Sequence, residues 1–79
     1  MSCDHKGPQD VIADAEAFLA SSGSAPADGM KFRWAENHGG YFASAITEIE
    51  RRGEAWVVTR LDRSREPLPE SDCGLMRIA

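Results

Sequence analysis

Cys3, Asp4 and His5 stand together near the N-terminus, and His38 and Cys73 supply two more groups able to hold a soft metal ion. A structural zinc site draws closely spaced ligand pairs from two places in the chain. Only Cys3 and His5 have that spacing, so no metal centre is predicted, and the residues read as a frayed terminus and a turn histidine. A catalytic thiol needs a base beside it and a lowered pKa, and neither histidine adjoins a cysteine in any predicted element. Gly39-Gly40 is too short to cradle a phosphate, with no helix clearly following it. The carboxylates fall on solvated faces. No catalytic residue and no cofactor is therefore expected, and a chain of 79 residues has little concave volume from which to exclude water.

The remaining chemistry is recognition. Lys31, Arg33 and Arg60 are interleaved with Phe42 and Trp56, a mixture that stacks bases on some open sheets and anchors protein partners on others. Which use is open depends on the elements that carry these residues.

Pro8 suits a first helical turn, Asp10 complements its positive end, and Val11, Ile12, Ala15, Phe18 and Leu19 make one apolar stripe, with Gly23 as the stop. Residues 21 to 29 are small and polar with Pro and Gly, and predict a connector. Met30 to Glu36 alternates, with Met30, Phe32 and Trp34 on one side and Lys31 and Arg33 on the other, as a half-buried strand does. Asn37 to Gly40 suits a tight reversal.

Tyr41 to Arg52 fits two descriptions. Phe42, Ala45, Ile46 and Ile49 share one face of a helix, and Arg51 and Arg52 would suit its negative end before Gly53. Against this, Gly39 and Gly40 occupy the place of a cap. As a strand, the segment pairs Trp34 with Ala43 and Phe32 with Ala45. A three-residue loop at Arg51-Arg52-Gly53 then sets Glu50 opposite Glu54 and Ile49 opposite Ala55. Both hairpins place Met30, Phe32, Trp34, Tyr41, Ala43, Ala45, Thr47, Ile49, Ala55, Val57, Thr59 and Leu61 on one uncharged face, and that agreement favours the strand. The predicted fold class is α+β, one N-terminal helix packed on a three- or four-stranded antiparallel β-meander. Residues 62 to 74 form a long loop, and the final GLMRIA closes the sheet as a short edge strand.

The second face carries Lys31, Arg33, Phe42, Ile46, Trp56, Val58 and Arg60, with Ser44 between Arg33 and Arg60. One helix cannot cover both sides of a sheet, so these side chains are the expected partner-binding residues. The covering element is the 62 to 74 loop, a second copy or another protein. The paired arginines could fork onto a carboxylate or phosphate, although such groups more often pair with neighbouring acids in solvent.

The chain as a whole supports a single small domain, residues 1–79, with 1–7 frayed. At this length only about 60 to 65% of the unfolded surface is buried. Hydrophobic residues at 42% and charged residues at 28% suit a globular chain. A formal net charge of -4 disfavours a generic grip on nucleic acid or an anionic membrane. No apolar run approaches a membrane span, and the two cysteines suggest reduced thiols in the cytoplasm, with a bridge between the termini as the alternative. The functional expectation is a non-catalytic interaction module (an adaptor, regulator or inhibitor) that binds a protein partner or forms a homodimer. A nucleic-acid-binding sheet is the alternative, and a small enzyme or metal protein the third reading.

Overall fold

The structure is a computed structural model that describes residues 6–36, 44–64 and 74–79. It has the predicted α+β architecture, with a helix, α1 (Pro8–Ser21), on a four-stranded antiparallel sheet. The strands are β1 (Lys31–Glu36), β2 (Ser44–Arg52), β3 (Ala55–Ser64) and β4 (Gly74–Arg77), in spatial order β3-β2-β1-β4.

The signals read for α1 act as expected. Pro8 occupies the first turn, and Asp10 turns its carboxylate back to accept the Gly7 N–H at 3.2 Å. At the other end Gly23 takes φ +71, which lets its N–H reach the Ala20 carbonyl at 3.1 Å while Ser24 donates to Leu19 at 2.8 Å. These two bonds satisfy carbonyls that the helix end would leave orphaned. Val11, Ala15 and Leu19, spaced at i, i+4 and i+8, are fully buried. Phe18 departs from its expected place in the core: it lies at the rim of the stripe, 50% exposed, with only its ring edge against Phe32 at 5.8 Å between centroids.

Residues 44 to 52 form a strand, which removes the helical alternative for that segment. Tyr41, Phe42 and Ala43 lie outside the described residues. Both hairpin registers need correction. Phe32 faces Ile49 and Trp34 faces Thr47, where Ala45 and Ala43 were expected, so β2 is displaced along β1 by an even number of residues. An even displacement keeps every side chain on its face, and Met30, Phe32, Ala45 and Ile49 are accordingly buried together. Packing favours this register because Phe32 and Ile49, both fully buried, then lie side by side beneath α1. Burial of each contributes roughly 1.5 to 3 kcal/mol.

The second hairpin differs in kind. Arg52 pairs directly with Ala55, so Gly53-Glu54 is a two-residue turn and not the three-residue loop expected. Gly53 has φ +62 and no non-glycine residue among the described residues has positive φ, the pattern of a type II′ reversal whose twist matches the strands it joins. Asp28 accepts the Gly53 N–H at 2.8 Å and Arg51 Nε donates to the Gly53 carbonyl at 2.9 Å. Gly53→Val should therefore lower stability by about 1 to 3 kcal/mol through backbone strain alone, since open space surrounds the missing Cβ. A reduced urea midpoint with an unchanged slope is the measurement.

The largest correction concerns β3. From the turn, Arg51 faces Trp56 and Ile49 faces Val58; beyond a shift between Glu48 and Ile49, Glu48 faces Arg60 and Thr47 faces Leu61. Thr59 is thus the extra residue of a β-bulge, and the faces of β3 invert across it. Trp56 and Val58 share the helix side with Leu61, while Ala55 and Val57, expected inside, are on the other side. The inversion buries the Trp56 ring against Phe32 at 6.0 Å, with the Arg51 guanidinium 5.4 Å from its centroid. Strand β3 also runs to Ser64, taking in residues assigned to the long loop; residues 65–73 of that loop lie outside the described residues. The C-terminus closes the far edge as expected, with β4 antiparallel to β1 and Ile78 donating to the Lys31 carbonyl at 2.9 Å.

Candidate interaction surface

The bulge divides the seven residues expected to bind a partner. Lys31, Arg33, Ile46 and Arg60 lie together on the face away from α1, whereas Trp56 and Val58 lie on the helix side. Phe42 lies outside the described residues.

On the outer face the strands set charges in rows. Arg33, Glu48 and Arg60 are consecutive cross-strand neighbours, as are Lys31, Glu50 and Val57, and Ala35, Ile46 and Asp62. Glu48, not Ser44, therefore separates the two arginines, and the chain's own carboxylate stands where a bound anion was considered. Arg60 donates from Nη1 to Glu48 at 3.3 Å and from Nη2 to Asp62 at 3.1 Å. The Asp62 and Glu48 carboxylates hold the guanidinium above its ordinary pKa, Asp62 having the larger effect. Glu50 accepts from Arg52 at 3.4 Å and lies 3.9 Å from Lys31 Nζ. Arg33 Nη2 approaches the Met76 sulfur at 3.7 Å. Pairs of this kind in solvent are worth about 0 to 1 kcal/mol. They complete one another, leaving a self-neutralising lattice with Ile46 half-buried within it. The described outer face carries no aromatic side chain.

The helix side has a different character. Helix α1 packs on β2, β1 and β4. Beyond its reach toward β3, Val58 is 40% exposed and Leu61 64% exposed. Val57 is also exposed on the other face of the same strand. These residues border the open edge of β3, a ten-residue strand hydrogen-bonded on one side only among the described residues. Unpaired N–H and C=O groups along such an edge are a template for another strand.

One residue on the helix side was not anticipated. Glu36 is fully buried, and among its contacts Oε2 accepts the Lys6 backbone N–H at 3.2 Å. Lys6 then crosses the end of β1, its ammonium 4.6 Å from the Trp34 ring centroid and paired with Asp14 of α1. The residue was legible as the next step in the alternation Met30, Phe32, Trp34. Its arrangement ties the start of the helix to the sheet and reaches no open surface chemistry. The Trp34 and Trp56 indole N–H groups are buried without an acceptor. Each costs about 1 to 3 kcal/mol, which the partial burial of each ring against the core helps to offset.

Among the described residues no three His, Cys, Asp or Glu side chains converge as a metal site would require. Cys3, His5, His38 and Cys73 are outside the described residues. No described helix is long and apolar enough to cross a membrane. No protein-family model, curated protein sequence or solved structure matches this chain.

Proposed function

We propose that the chain is a non-catalytic, cytoplasmic protein-interaction module whose working surface is the open edge of β3 with Val57, Val58 and Leu61 along it. The supporting observation is the coincidence of a ten-residue strand edge, unpaired among the described residues, with the most exposed large apolar side chain of those residues, Leu61. Edge strands that must stay single are blunted with charge, proline or brevity. Here β4, at the opposite edge, has only four residues, whereas β3 is long and, alongside Arg60, Asp62 and the bulge at Thr59, carries apolar side chains on both faces.

The outer face is a weaker site than its sequence suggested, because its arginines and acids face one another and Trp56 has gone to the core. The nucleic-acid reading loses most by this, since it needed aromatic rings beside Lys31, Arg33 and Arg60. The test compares capture of native partners by the tagged full chain, by Leu61→Lys and by Arg33→Ala with Arg60→Ala. Edge recognition predicts that Leu61→Lys abolishes capture and that the arginine variant retains it. The reverse result, with steep salt dependence, would transfer the function to the outer face.

A further inference from the structure

We infer that the partner of the β3 edge is a second copy of this chain, docked antiparallel about a two-fold axis through Leu61, so that two four-stranded sheets become one continuous sheet. This rests on the reading above that the edge is the working surface.

The argument is one of charge and parity. Beyond the bulge β3 alternates regularly, with Arg60 and Asp62 on the outer face and Leu61 on the helix face. An antiparallel two-fold pair keeps each side chain on its own face, so the axis must pass through a residue and not between two. Centred on Arg60, guanidinium would oppose guanidinium; centred on Asp62, carboxylate would oppose carboxylate. Like charges directly opposed are destabilising. Centred on Leu61, the two leucines meet on the helix face, and Arg60 opposes Asp62 of the partner subunit twice on the outer face. That centre also allows a symmetric ladder from Thr59 to Arg63, longer than the Thr59 to Leu61 ladder that a centre on Arg60 would leave before the bulge. Each helix ends on the same side of the joined sheet, where the Leu61 side chains of both copies meet.

A strand edge alone buries less than the roughly 1,200 Å² of a tight interface, so association on the order of micromolar is expected. Sedimentation equilibrium of the full chain under reducing conditions, from about 1 to 500 μM, reads it directly. The expected result is a mass that rises with concentration from 8.6 kDa toward twice that value. Leu61→Lys, folded by circular dichroism, should weaken association about thirtyfold or more. Arg60→Asp should also weaken it, and Arg60→Asp combined with Asp62→Arg should restore it. A mass that stays monomeric across the range overturns the inference. If such a monomer still captures another protein through Leu61, the edge reading survives and self-pairing falls; if capture is also independent of Leu61, both fall. A dimer indifferent to Leu61→Lys places the contact elsewhere, and a charge swap that fails to restore pairing overturns the Leu61-centred register.

Discussion

Phe32→Ala is expected to destabilise the fold by about 3 to 5 kcal/mol, the largest loss from any single aromatic truncation among the described residues. Phe32 is 1% exposed and packs beneath Phe18 and against Trp56, with Ile49 beside it on β2. Removing its ring opens a cavity that α1 cannot fill, because the Val11, Ala15 and Leu19 row is already seated on the sheet. A domain of this length holds about 4 to 12 kcal/mol in total, so the variant should be partly or wholly unfolded at 37 °C. Phe18→Ala provides the contrast: with half of its surface already in water, its loss should cost about 1 kcal/mol. Urea unfolding of the two variants reads both values, and equal losses would mean that α1 sits lower on the sheet than described.

Ile49→Ala should cost about 2 to 5 kcal/mol, whereas Ile46→Ala should cost about 1 kcal/mol or less. The two side chains are chemically identical and lie three residues apart on β2, but on opposite faces. Ile49 is fully buried between Phe32 and Val58, and Ile46 stands between Ala35 and Asp62 in the charged lattice. Thermal unfolding separates them, and the difference measures how far one face of the sheet supplies the core. Comparable losses would show that the outer face is also covered.

The helix was legible because its caps, its spacing and its stop all act locally: Pro8, Asp10 and Gly23 need nothing beyond their own turns. The alternation through Met30, Phe32 and Trp34 likewise names one face of β1, and carried one step further it names Glu36. Register is not local. The slide of β2 along β1 is set by Phe32 fitting against Ile49, a contact that turn chemistry near residues 37 to 40 does not report. The turn at Gly53 was placed correctly by its glycine but counted wrongly, because a glycine with φ +62 serves a two-residue reversal as well as a longer loop. The miss on β3 had a visible signal. Trp56 and Leu61 are five positions apart, and two such apolar residues share a face only if the strand takes in an extra residue between them. Strict alternation put Leu61 inside and Trp56 outside; burial of the indole decides otherwise, and Thr59 absorbs the difference. The candidate surface moved with it, from the centre of the outer face to the edge where the helix does not reach.

The functional reading turns on that inversion of β3, and solution NMR tests it most directly through cross-strand contacts on β2 and β3. The account predicts α-proton and amide contacts placing Ile49 beside Val58 and Arg51 beside Trp56, ring contacts between Trp56 and Phe32, and Thr47 beside Leu61 beyond the bulge. Contacts placing Ile49 beside Ala55 and Trp56 beside Glu48 would mean an unbroken strand with its indole on the outer face, and would contradict both the bulge and the assignment of the working surface to the β3 edge.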